Sequence, residues 1–129
     1  MLYLDSSAIV KLVAPEPETA RLVETLRSDP DTISSALAQV EVTRAVRRAG
    51  AMQRVSRAAA VLERITLVPI EAGILGRAAD LQPLDLRTLD AIHLATALLV
   101  QQDIAGLITY DARLAGAAAA ADITVLTPS

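Results

Sequence analysis

Four acids, Asp5, Glu41, Asp90 and Asp111, each stand at the edge of or inside an apolar segment. Asp5 follows the short run LYL, and Asp111 follows GLITY. Asp90 opens the apolar stretch DAIHLATALLV, and Glu41 lies within AQVEVTRAVRR. In an open parallel sheet, ligands gather beyond the carboxyl ends of the strands, which is where Asp5 and Asp111 fall. Carboxylates crowded at one rim repel one another and take up protons unless a cation offsets them. Oxygen-only donors favour Mg2+ or Mn2+, which keep waters and bind phosphate. Such an ion can generate a hydroxide nucleophile and stabilise charge on the attacked phosphate and the leaving oxygen. The chain has no Cys, and its one His leaves no Ser–His pair supported by spacing. It also has no Gly-rich phosphate loop. Metal-activated water is the mechanism this set points to.

Each acid also has a plain structural reading. Asp5, Asp90 and Asp111 precede or open helices, where Asp caps backbone N–H groups and complements the helix dipole. Glu41 can pair with Arg44 three residues on. The case for chemistry rests on the four together.

The elements that must position them follow from the apolar pattern. Strands are expected at Leu2–Leu4, Thr32–Ser34, Thr66–Val68, Gly106–Thr109 and Ile123–Leu126. Helices are expected over Ser6–Val13 (ended by Pro15), from Pro17 through ETARLVETLRS, and over Ala36–Ala49, with Gly50 as its C-terminal cap. Further helices fit Gln53–Arg64, Glu71–Leu81, Leu89–Gln101 and Ala112–Ala121. Leu89–Gln101 is apolar nearly all round, so it belongs in the middle of the fold. Strands alternating with helices imply a largely parallel sheet covered on both faces.

The chain of 129 residues fits one domain, residues 1–129, long enough to bury roughly two-thirds of its unfolded surface. With 53% hydrophobic residues, no Phe or Trp and two Tyr, its core must be built from Leu, Val, Ile and Ala. The net charge of −3 excludes a generic polyanion binder, so any nucleic acid must meet a local basic surface. The N-terminal segment lacks the basic region of a secretory signal, and no apolar stretch is long enough for a membrane span. A cytoplasmic protein without disulfides is expected.

The motifs have a familiar form. MLYLDSSAIVKLV resembles the opening strand and helix of PIN domains, and SSALAQVEVTRAVRR resembles the segment carrying that family's helical Glu. LRTLDAIHLATAL and LITYDARLAGAA resemble its third and fourth acidic segments, in the same order, and are most like stand-alone VapC toxins. The likeness spans residues 1 to about 120 and has no departure at the four acids. It implies a three-layer α/β/α sandwich around a mostly parallel sheet of four to five strands. It implies a Mg2+-dependent (or Mn2+-dependent) endoribonuclease, the toxin of a type II toxin–antitoxin pair. Asp5, Glu41, Asp90 and Asp111 would bind one or two ions, with Ser7 and Thr109 supporting them. A homodimer held inactive by a VapB-like antitoxin is the implied assembly, and RNA the substrate.

Other residues admit two readings. His93 is a hydrogen-bonded core imidazole or a catalytic group. Arg87 meets RNA phosphate or is a plain surface Arg. Lys11 is taken as a solvated surface Lys, Ser6 as a helix-start residue and Asp85 as a turn residue. The segment from Arg44 to Arg64 holds six Arg and one acid, Glu63, a solvated face or an RNA track. Two other functions remain open. One is a Mg2+-dependent phosphohydrolase with Asp5 as nucleophile, against which Ser at position 7 counts. The other is a catalytically silent PIN-fold binding module.

Overall fold

The computed structural model describes residues 1–129. Five strands, β1 (Leu2–Leu4), β2 (Thr32–Ser35), β3 (Thr66–Val68), β4 (Gly106–Ile108) and β5 (Val125–Leu126), form one sheet. Its order is β3-β2-β1-β4-β5, and every neighbouring pair is parallel. Tyr3 sits opposite Ile33 on one side and Leu107 on the other, so β1 is central.

Successive side chains on a strand point to opposite faces. Leu2, Leu4 and Ile108 accordingly enter one core and Tyr3 and Leu107 the other. The first core is closed by α1 (Ser6–Val13), α2 (Thr19–Ser28), α3 (Leu37–Arg48) and α4 (Val55–Glu63), through Ile9, Leu22, Val42 and Leu62. The second is closed by α6 (Thr88–Leu99) and α7 (Ala112–Ala120), through Leu94, Ala97, Leu114 and Ala117. The expected three-layer sandwich is thus present.

Local sequence sets the helix ends. Asp5 caps α1 by accepting from the Ala8 amide, and Asp111 caps α7 by accepting from Arg113 and Leu114. Gly50 follows α3 with a φ of 72°, the left-handed turn that glycine adopts without strain. A short 3-10 turn, Met52–Arg54, leads into α4, so the regular helix starts later than the expected Gln53. α6 lies between the sheet and α5 (Ala72–Asp80), which is why its pattern is apolar on nearly every side. Its buried Ala91, Ala95 and Ala97 leave room for that close packing.

Connections from β1 run outward to β2 and β3, whereas β4 and β5 lie on the other side of β1. The direction of winding therefore reverses between β1 and β4. The crevice beyond the carboxyl ends of those two strands is where such sheets place their ligands.

Candidate metal centre

Asp5 leaves β1, and Asp111 follows β4 by way of Thr109 and Tyr110, so both acids border the β1–β4 crevice. Thr109 joins them. Its fully buried hydroxyl donates to Asp5 Oδ2 at 2.6 Å and accepts from the Asp111 amide at 3.0 Å. Ser7 Oγ donates to Asp5 Oδ1 at 2.6 Å and accepts from the Tyr110 amide at 2.9 Å. The Ala8 amide also donates to Asp5 Oδ1, at 3.0 Å. Asp5 is thereby fixed on both oxygens and tied to two strands and one helix. Burial raises its pKa above the ordinary 3.8, outweighing the hydrogen bonds from Ser7, Thr109 and Ala8.

Asp90, in the first turn of α6, is buried, and Arg87 Nε donates to its Oδ2 at 2.9 Å. The same guanidinium reaches Asp111 Oδ2 at 2.6 Å through a terminal nitrogen. Arg87 itself remains 59% exposed. One delocalised cation thus spans two of the four acids, an arrangement suited to its forked donors.

Glu41 faces the same rim from α3. Ser6 Oγ donates to its Oε1 at 2.5 Å, and His93 Nε2 stands 2.7 Å from that oxygen. The expected local pair with Arg44 is absent. Burial pushes the Glu41 pKa up, but the hydrogen bonds from His93 and Ser6 outweigh it and hold the carboxyl below its ordinary value. An ionised Glu41 can only accept, so Nε2 carries the proton toward it. The other ring nitrogen, Nδ1, lies 2.8 Å from the Tyr3 hydroxyl. Burial raises the Tyr3 pKa and keeps the phenol protonated, so its O–H donates to Nδ1. His93 is therefore the buried, hydrogen-bonded imidazole expected of its structural reading, and it also orients a site carboxylate. The spacing of His93 from Asp90 carried no sign of this, because its partners lie 52 and 90 residues away.

Lys11 departs from expectation. It is buried, with Nζ bonded to Glu16 and, at 3.2 Å, to Glu18, and it stands 4.6 Å from the centre of the Tyr110 ring. Its stem packs along α1 and its charge is neutralised by acids just beyond that helix. Asp85 is exposed in a turn, as expected.

The donor set fits a hard divalent ion: carboxylate and hydroxyl oxygens, with a basic side chain already offsetting two of the charges. As they stand, no three His, Asp or Glu side chains form a ready cage. The guanidinium fills the gap between Asp90 and Asp111, and both Asp5 oxygens are turned to donors.

Two outcomes follow. At neutral pH the raised pKa of Asp5 makes its ionised form a burden on the metal-free fold, absent at acid pH where Asp5 is protonated. Asp5→Asn, which keeps a capping oxygen, should raise the melting temperature of metal-free protein at neutral pH and give no gain at acid pH. Asp5→Ala should gain less, having lost a cap of about 1 kcal/mol. Equal melting of Asp5→Asn and the parent at neutral pH would contradict the burial argument. His93→Leu, which strands the Tyr3 hydroxyl and one Glu41 oxygen, should cost about 1–3 kcal/mol in urea unfolding. His93→Gln, with an amide to serve Glu41, should cost less.

Known proteins share this architecture. A PIN domain profile matches residues 2–120. The chain is 44% identical to Ribonuclease VapC46 of Mycobacterium tuberculosis, over 99% of this chain and 98% of that protein. It is 40% identical to Ribonuclease VapC35 of the same species, over 99% and 97% respectively. Among solved structures, a toxin–antitoxin complex from Klebsiella pneumoniae superposes with a TM-score of 0.76 at 23% identity, covering 100% of this chain and 98% of that one. VapC20 of Mycobacterium tuberculosis, a toxin that cleaves the sarcin–ricin loop, superposes with a TM-score of 0.75 at 16% identity, covering 99% and 100%. Its sequence from β1 through α7, and its likeness to these full-length relatives, place the chain in the PIN domain family, among the VapC proteins.

Proposed function

We propose that the chain is a Mg2+-dependent or Mn2+-dependent endoribonuclease, the toxin of a type II pair restrained by a VapB-like antitoxin. The observation that carries this is the guanidinium of Arg87 bridging Asp90 and Asp111 at 2.9 and 2.6 Å. It marks the crevice as a place where the fold collects negative charge that a cation must offset.

Asp5, Glu41, Asp90 and Asp111 would hold the ion. When bound, it lowers the pKa of water and shields charge on the phosphodiester. The chain's own residues do the positioning. Ser7 and Thr109 hold both Asp5 oxygens in place, and Thr109 fixes the Asp111 backbone to the same point. Ser6 and His93 keep Glu41 ionised and aimed at the rim. Arg87 balances Asp90 and Asp111, and its exposed guanidinium would suit an RNA phosphate if an ion offset those acids instead. Such support of metal ligands by neighbouring donors is commonly worth 10- to 100-fold in affinity or activity.

The phosphohydrolase alternative loses ground on the same geometry. Position 7, where that chemistry wants a second Asp, holds a Ser that donates to Asp5 Oδ1. No helix is long and apolar enough to cross a membrane. A homodimer has apolar surface to draw on, since Leu75, Leu84, Leu89 and Leu99 are all exposed on or between α5 and α6.

Purified protein incubated with total cellular RNA should give discrete fragments with Mg2+ or Mn2+ and none with EDTA. Asp90→Asn should abolish them, and Thr109→Val should slow cleavage by about 10- to 100-fold. Cleavage that persists unchanged in EDTA or in Asp90→Asn would overturn the assignment. Antitoxin binding with no cleavage under either metal would favour the silent binding module.

A further inference from the structure

Glu41 and Arg44 are three apart on α3, a spacing at which opposite charges on a helix ordinarily pair. Here Glu41 is turned to Ser6 and His93 instead, and Arg44 is left without an acid. Arg47 and Arg48, in the last turn of the same helix, also make no ion pair. All three are exposed, and together they line one surface hollow to which no other residue contributes. The remaining arginines of this segment are not part of it. Arg57, for instance, is committed to the Leu12 carbonyl at the end of α1, at 2.9 and 3.2 Å.

Basic residues in a last turn complement the helix dipole. That accounts for one or two charges there, but not for three guanidiniums sharing a hollow with no acid. In a chain of net charge −3, a concentration of unpaired cations is a local exception that favours a polyanion. Its placement is also specific. At 1.5 Å per residue, Arg44 stands about 4.5 Å and Arg48 about 10.5 Å along the helix from Glu41. At 100° per residue both lie within about 60° of the direction in which Glu41 points. Arg44 and Arg48 therefore lead away from the carboxylate rim along one helix face, with Arg47 on its flank.

We infer that Arg44, Arg47 and Arg48 form a track for the phosphates of the RNA strand flanking the scissile bond. This rests on the ribonuclease reading above and adds where the substrate runs. Guanidinium forks match phosphate oxygens in pairs, which suits them to a backbone. The track reads no bases by stacking: of the two aromatic residues, Tyr3 is buried and Tyr110 lies beside Lys11. It supplies affinity and direction, and sequence preference has to come from elsewhere.

The test is the triple variant Arg44→Gln, Arg47→Gln, Arg48→Gln, compared with wild type across a series of KCl concentrations. The substrate is a short single-stranded RNA containing a cut site mapped in total cellular RNA. With three phosphates no longer neutralised, the slope of log(kcat/KM) against log salt should flatten by about 2, from about 0.7 per phosphate on a single strand. The effect should fall on KM, raising it by about tenfold or more at low salt, with only a small drop in melting temperature from the lost last-turn charges. Cleavage by the variant with wild-type KM and salt slope overturns the track while leaving the nuclease intact. Unaltered RNA kinetics with weakened antitoxin binding also overturns it and gives the surface to a protein partner. Wild type that cuts no RNA under either metal fails at the earlier step, and the track falls with the ribonuclease reading.

Discussion

The need to satisfy acidic side chains gathered at one crevice sets the terms for this molecule. Three aspartates and a glutamate border one crevice, and each is met there by a hydrogen-bond donor or a cation. Each acid has its own solution. Asp5 takes two hydroxyls and a helix amide, Glu41 a hydroxyl and an imidazole, and Asp90 and Asp111 share one guanidinium. The acids and their partners together come from the end of β1, from α1 and α3, from α6 and the residue before it, and from the β4–α7 junction. The site is thus the meeting point of nearly every element around the sheet's centre. Compensation is incomplete at Asp5, where burial still wins and raises the pKa. A carboxylate held at that cost in a crevice is a common sign of a functional position.

The sheet order converts sequence into this geometry. With β1 flanked by β2 and β4, Asp5 and Asp111 emerge side by side although 106 residues separate them. Helix capping serves the same end. Asp5 and Asp111 both cap helices, as their plain structural reading holds, and they also face the crevice. The structural and functional readings were never exclusive, because a residue at a strand's carboxyl end and a helix's amino end occupies both places at once. Asn would cap these helices as well but would carry no charge into the crevice.

Much of this was legible from residue pattern. The strand-end acids, the buried α6 and the Gly50 cap are local features, set by neighbours a few positions away. What stayed hidden is long-range. That Arg87 bonds Asp90 could be suspected from a spacing of three, but its second bond, to Asp111, depends on how α6 meets β4. Lys11 reads as a surface residue until Glu16 and Glu18 fold back toward it beyond Pro15. His93 gains its place only because Tyr3 and Glu41 arrive from different layers. Likewise the spacing of Glu41 and Arg44 suggests a pair that the tertiary structure does not form, and it leaves Arg44 free.

Arg87 already offsets the charge of Asp90 and Asp111, so a cation entering the crevice would have to compete with it. Titration calorimetry of Mn2+ into wild type and Arg87→Gln tests it most directly. Removing the internal competitor should leave a Mn2+ site that binds several-fold more tightly than in wild type, with Asp90→Asn binding weakly or not at all. Equal or weaker Mn2+ binding by Arg87→Gln, or Mn2+ binding by Asp90→Asn at wild-type strength, would contradict it.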